Sequence, residues 1–230
     1  METTATKGHP MTSRTDPELF ELINTRLNTS VIGDILDAMG RTIQFLPPEI
    51  RPMRPDMRLA GRAMPSVVSD VHGPQKKPFG YLTEALDQLQ PGEVYISPRI
   101  VQPVATWGEI LTATSQQRGA VGAVVDGYYR DTKQVLGRNF PVFGWGCYGQ
   151  DSSVRTVVRD YRVPVRIGGV LVTPGDLLIG DIDGVLVLPR EVEAEVIEAA
   201  VAKLSTENVV CKAIDAGMSA TEAFARFGVL

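Results

Sequence analysis

Histidine is nearly missing from this chain of 230 residues, which holds only His9 and His72. His9 sits in a polar N-terminal stretch and His72 is isolated in a loop, so a Ser-His-Asp triad has no base to build on. Cysteine is as scarce: Cys147 and Cys211 make no metal-ligand spacing. That usage leads to the expectation of a reduced, cytoplasmic protein, with a disulfide between the two left open. No apolar run approaches the roughly 18 residues of a membrane span, and the N-terminus has no apolar core of signal-peptide type. Positive charge is not in excess. The formal net charge is -4 and the pI about 5.3, which argues against a general binder of nucleic acid or of anionic membrane. Local clusters at Arg51 to Arg62 and at Lys76 and Lys77 read as solvated surface or loop rather than as a phosphate site. Walker and Rossmann glycine motifs are absent, and so is any repeat of solenoid type. A Schiff-base enzyme needs a lysine desolvated in a pocket. Lys7, Lys76, Lys77, Lys203 and Lys212 stand in polar surroundings, which leaves Lys133 as the one weak option.

Apolar residues are plentiful, at 43% of the chain, enough for a sizeable core. Residues 1–16 read as a disordered polar tail and 17–230 as one domain. Asp16-Pro17 marks a capped helix start. Asn28 to Ser30 can cap a second helix, with Val31, Ile32, Ile35, Leu36 and Met39 on its apolar face and Gly40 at its end. Residues 41–58 read as irregular, and 59–68 as a strand interrupted around Gly61 to Pro65. A short helix over 81–89, a strand over 93–97 and a helix over about 108–118 follow. The run 120–126, apolar through Ala120, Val121, Ala123, Val124 and Val125, reads as a strand covered on both faces. Short strands are predicted at 140–143, 163–167 and 170–172. Two more, 177–179 and 185–188, flank an Asp183-Gly184 turn. A last helix starts at Glu191 and runs to Lys203, with continuation toward Gly217. Helices interleave with strands first and hairpins dominate later, which fits one layered α/β domain.

One stretch carries chemistry. Gly108-Glu109 opens a helix, whose first amides are unpaired and carry partial positive charge. A carboxylate can settle on such amides, and Gly108, having no Cβ, lets it come close. Taken alone, Glu109 is better explained by ordinary helix initiation, as an acid well placed against the dipole. Arg130-Asp131 follows the buried strand and a turn at Gly127, at the kind of sheet edge where open α/β sheets bind ligands. Arginine offers a planar fork of donors for an oxyacid. Aspartate is a hard oxygen ligand of the sort magnesium takes one or two of. A surface ion pair is the plain alternative. Asp181 and Asp183 read as turn residues rather than metal ligands. Trp107, Tyr128 and Tyr129 either shape a pocket or fill the core.

The ordered set of segments resembles the RraA-like family, which includes 4-hydroxy-4-methyl-2-oxoglutarate and 4-carboxy-4-hydroxy-2-oxoadipate aldolases. The likeness lies in Ser30 to Gly40, Leu59 to Ala63, Gly108 to Thr112, Arg118 to Thr132, Phe140 to Phe143, Val163 to Val165, Pro174 to Asp176 and Gly180 to Pro189, over roughly residues 18–205. The resemblance implies a three-layer β/β/α sandwich with N-terminal helices and a C-terminal helix, assembled as a homotrimer or homohexamer. It implies a pyruvate aldolase using Mg²⁺, or Mn²⁺ in its place, with oxaloacetate decarboxylase activity alongside. Asp131 then matches the metal ligand and Arg130 the residue that binds the 2-oxo acid and steadies its enolate. Glu109 matches an acid that holds metal-bound water, and Gly108, Ile110 and Leu111 the helix start that receives the pyruvyl carboxylate. A further metal-associated glutamate is expected from a neighbouring subunit, with Glu207 as the choice. One departure stands out. Gln134 occupies a position where the aldolases often carry an acid, and glutamine supplies neither charge nor proton. A non-catalytic regulator of RNA-processing enzymes on the same scaffold is therefore the alternative.

Overall fold

Apolar residues recurring at helical spacing put two helices first. The computed structural model describes residues 14–228. It begins with α1 (Asp16–Arg26) and α2 (Thr29–Ala38). Asn28 caps α2 by accepting from the Val31 amide, as its sequence suggests. The cap of α1 is Thr15, not Asp16, in a capping box with Glu18. Arg14 pairs with Glu198, and Asp16 with Arg62. These three residues of the expected tail therefore stand within the folded part, while residues 1–13 lie outside the described residues.

The chain continues through β1 (Arg51–Pro52), β2 (Leu59–Asp70), α3 (Leu82–Asp87), β3 (Glu93–Ser97), β4 (Ala105–Trp107), α4 (Glu109–Gln117), β5 (Gly122–Val125) and β6 (Tyr128–Tyr129). Next come α5 (Thr132–Gly137), β7 (Val142–Gly144), β8 (Gly146–Cys147), β9 (Thr156–Tyr161), β10 (Val165–Ile167) and β11 (Val170–Val172). β12 (Leu177–Asp181), β13 (Gly184–Leu188), α6 (Glu193–Asp215) and α7 (Ala220–Phe227) complete it. The main sheet has the order β1-β7-β5-β3-β2-β12-β13, with β9 on the far half of β2. β2, β3, β5 and β7 run parallel, while β12, β13 and β1 pair antiparallel. Arg51 of β1 donates to the Ile182 carbonyl in the β12–β13 turn, so the two ends of the sheet nearly meet.

Side chains alternate across strands, and this sheet buries both faces. Inward go Leu59, Val94, Val124, Phe143, Leu178, Val185 and Val187, met by the β10–β11 hairpin through Ile167 and Val172. Outward, Leu177, Ile179, Leu186 and Leu188 pack under α1, α2 and α6. Tyr95, Ala123, Val125 and Val142 pack beneath the α3–α4–α5 side. Each buried aliphatic side chain contributes roughly 1.5–3 kcal/mol, against about 0–1 kcal/mol for an exposed ion pair. The three apolar clusters therefore hold the layers. This is the single-domain layered α/β fold the sequence pattern predicts.

The expected break in β2 does not occur: residues 59–70 form one strand. The Ala63 amide points to the β12 side, bonding the Asp176 carbonyl. Pro65, two residues on, faces the same edge. There β12 has ended and β9 pairs only from Ser66, so the missing N–H breaks no ladder. The arginine cluster is not the solvated surface expected at Arg58 and Arg62, which are partly buried and structural. Arg58 caps the carbonyl end of α1 at Ile23 and Leu27, and Arg62 ties Asp16 to Glu193. α7, with its Ser219–Glu222 capping box, was not expected. No helix among the described residues is long and apolar enough to cross a membrane.

Candidate active site

The site depends on a small second sheet. Each of three neighbouring strands is interrupted and resumes: β3 leads to β4, β5 to β6 and β7 to β8. The resumed pieces form a parallel sheet, β4-β6-β8. Arg130-Asp131 therefore follows β6, not the buried β5 directly. After Asp126 and Gly127 the chain changes sheet, with the Gly127 carbonyl held by the Trp145 amide. Parallel neighbours deliver their following residues side by side. Trp107 is in register with Tyr129, and the Arg130 amide donates to the Trp107 carbonyl at 2.9 Å. Gly108 is thus laid next to Arg130 and Asp131.

Gly108 is the N-cap position of α4 and has no side chain to cap it. Asp131 does so instead: its Oδ2 accepts from the Glu109 amide at 3.1 Å. The contact requires glycine, since a Cβ at residue 108 would stand 2.7 Å from Asp131 Oδ2. Asp131 has φ +55°, in the left-handed region. Aspartate tolerates that better than most residues, at some cost. Its carbonyl starts α5 by accepting from the Val135 amide, while its side chain turns back to α4. Helical geometry leaves the Ile110 and Leu111 amides without an intrahelical acceptor.

Arg130 lies between two carboxylates. Its Nε is 3.8 Å from Asp131 Oδ2 and a terminal nitrogen is 3.3 Å from Asp151 Oδ1. Asp151 was not singled out in the sequence, for no motif surrounds it. It arrives because Ala105 of β4 bonds the Gln150 carbonyl and bridges to Asp151. Glu109 faces Arg138 at 3.6 Å. These groups are each between a third and a half exposed. All but Arg138 share a cleft of about 310 Å³ to which Gly108, Glu109, Ile110, Leu111, Arg130, Asp131 and Asp151 contribute. A carboxylate beside a guanidinium and free helix amides can seat an oxyacid and a hard cation together.

The remaining candidates fall elsewhere. Glu207 is on α6, but its side chain lies outside the described residues. Lys133 and Gln134 are exposed on α5 and do not line the cleft. Trp107 is buried against Tyr95 and Phe140, with its Nε1 donating to Thr112. Tyr128 packs on Trp145 and Tyr148. Both are mainly packing residues, though Trp107 touches the cleft floor. Asp181 is buried and anchors α2 by accepting from the Thr29 amide and hydroxyl, each at 2.8 Å, in keeping with a structural role. His72 is exposed. Cys147 and Cys211 are free and exposed. Among the described residues no three His, Cys, Asp or Glu side chains converge as a ready metal cage.

A family model described as RraA-like, Aldolase/RraA, matches residues 29–187. Protein DlpA of Legionella pneumophila is 31% identical over 221 residues, 94% of this chain, but the chain spans only 35% of DlpA's length. A Halalkalibacterium halodurans protein named "Putative 4-hydroxy-4-methyl-2-oxoglutarate aldolase" is 30% identical, over 85% of this chain and 89% of that one. Among solved structures, Streptomyces coelicolor RraAS2, described as an unusual member of the RNase ES inhibitor RraA family, superposes with a TM-score of 0.74. It is 26% identical and the match covers 85% of this chain and 98% of that one.

Proposed function

The chain belongs to the RraA-like family, and on that footing we propose that it is a divalent-metal-dependent pyruvate aldolase. It would cleave a 4-hydroxy-2-oxo acid to pyruvate and a second carbonyl compound, and decarboxylate oxaloacetate as a side reaction. The observation that carries this is the Asp131–Glu109 contact, which draws a carboxylate, a guanidinium and a helix N-terminus onto one cleft.

The residues fit magnesium. Asp131 commits one carboxylate oxygen to the Glu109 amide, which leaves the other for a cation on the open side. Magnesium needs few protein carboxylates and keeps its waters. Asp131 would hold it directly and Glu109 through water, with Glu207 from a neighbouring subunit in a trimer or hexamer. Bound there, the ion would supply Lewis-acid stabilisation of enolate charge.

The chain's own groups do the rest. The Ile110 and Leu111 amides receive the substrate carboxylate. Arg130 donates to the 2-oxo oxygen, where charge develops. Glu109 accepts the 4-hydroxyl proton by way of water. The C3–C4 bond breaks, its electrons pass to the 2-oxo group, and C4 leaves as a carbonyl. Reprotonation at C3 gives pyruvate. Oxaloacetate reaches the same enolate by losing CO₂. The exposed free thiols suit a reduced, cytoplasmic setting.

Pyruvate release from oxaloacetate, with and without EDTA, tests the reading. Turnover that EDTA abolishes and Mg²⁺ or Mn²⁺ restores is expected. Absence of turnover with any divalent metal would leave a non-catalytic binder. EDTA-insensitive turnover, with borohydride trapping of pyruvate on Lys133, would indicate Schiff-base chemistry instead.

A further inference from the structure

The cleft has two unlike walls. One holds the polar groups described above. The other comes from α3 and the turn before it, with Phe79, Leu82, Thr83 and Leu86. Exposed Ile110 continues it on the α4 side, at 75% relative accessibility. This far wall has no cation. Arg130 is the one cationic side chain among the lining residues, and it already faces Asp131 and Asp151. The acids Asp87, Glu109, Asp131 and Asp151 line the same space. The nearby Arg118 and Arg138 are turned to Asp87 and Glu109.

From this we infer, resting on the aldolase reading, that the cleft selects 4-hydroxy-2-oxo acids whose C4 substituent is a hydrocarbon, not a second carboxylate. The pyruvyl carboxylate occupies the α4 amides and Arg130 serves the 2-oxo oxygen. A second carboxylate at C4 would then meet Phe79, Leu82 and Leu86 with no cation to offset it, beside like charges, and the Thr83 hydroxyl on that wall is already turned to Glu84. An alkyl or aryl group gains from covering the same surface. Cleavage delivers pyruvate and an apolar aldehyde or ketone: the 4-hydroxyl proton is lost, C4 becomes the carbonyl carbon, and C3 takes a proton.

The test measures kcat/KM for pyruvate release, with Mg²⁺ present, from 4-hydroxy-2-oxo acids bearing propyl or phenyl at C4 and from 4-hydroxy-4-methyl-2-oxoglutarate. The wild-type chain is expected to favour the hydrocarbon substrates by on the order of tenfold or more. Thr83→Arg places a cation on the exposed face of α3, away from the catalytic groups. It should shift the ratio toward the dicarboxylate by roughly tenfold. Wild-type preference for the dicarboxylate overturns the inference and leaves the aldolase reading standing. An unchanged ratio in T83R overturns the assignment of the α3 wall as the selecting surface. Release from no substrate, with Mg²⁺ or Mn²⁺, overturns the aldolase reading itself.

Discussion

Asp131 does two jobs that substitution can separate. Its carboxylate caps α4 through the Glu109 amide, and it is proposed to hold the cation. Alanine removes both. Loss of a cap costs about 0.5–2 kcal/mol, and a residue with Cβ but no polar side chain at φ +55° costs roughly a further 1 kcal/mol. The sum, about 2 kcal/mol, corresponds to a fall in Tm of roughly 4–8 °C for a domain of this size. Asparagine keeps an accepting oxygen and tolerates the left-handed region, so D131N should unfold within about 2 °C of wild type. Both variants lose the charge, and both should lose at least about 100-fold in metal-dependent kcat/KM. Thermal unfolding followed by circular dichroism, beside oxaloacetate turnover at saturating Mg²⁺, reads the two effects apart. D131N turning over like wild type would refute the metal role. D131N melting as low as D131A would refute the account of cap and backbone strain.

Arg130→Lys keeps charge but loses the planar fork that spans Asp131 and Asp151, so kcat/KM should fall about 100-fold with a native circular dichroism spectrum. Near-normal kinetics would count against the enolate role. Gly108→Ala forces a methyl to within 2.7 Å of Asp131 Oδ2. It should displace that side chain, lowering Tm by a few degrees and activity by roughly tenfold or more. Asp126 is buried, which raises its pKa, although the Trp145 indole N–H opposes the shift. The folded state therefore holds this proton to higher pH than the unfolded chain. The group's contribution is full below the ordinary carboxylate value and is lost as pH rises toward the raised one. Asp126→Asn retains an acceptor for Trp145 without titrating. Its stability relative to wild type should therefore increase between about pH 4 and about pH 8 in urea denaturation. A constant difference would contradict the assignment.

The two apolar runs flanking the Asp183-Gly184 turn, the cap at Asn28 and the apolar run ending at Val125 are local signals, and the structure repeats them. So is the glycine-led start of α4, since helix initiation is written in adjacent residues. What escaped were short pieces whose partners are remote. β4, β6 and β8 span two or three residues each, too few to show a period, and each exists only because its neighbours do. Pro65 was misread as a break because sequence does not tell which strand edge faces a gap. α7 carries its signal openly in the Ser219–Glu222 capping box.

The chain by itself determined a glycine-led helix start at 108 and an Arg-Asp pair beyond a buried strand, because apolar runs, glycine and capping residues act over a few neighbours, while the short strands β4 and β6 that lead into them stayed hidden. Only the tertiary structure decided that the two strands are parallel neighbours in register at Trp107 and Tyr129, and that Asp131 caps a helix 22 residues back in sequence. It also brought Asp151 to Arg130 and set the α3 wall across the cleft. Those contacts depend on backbone pairing between distant segments, which no local residue pattern encodes.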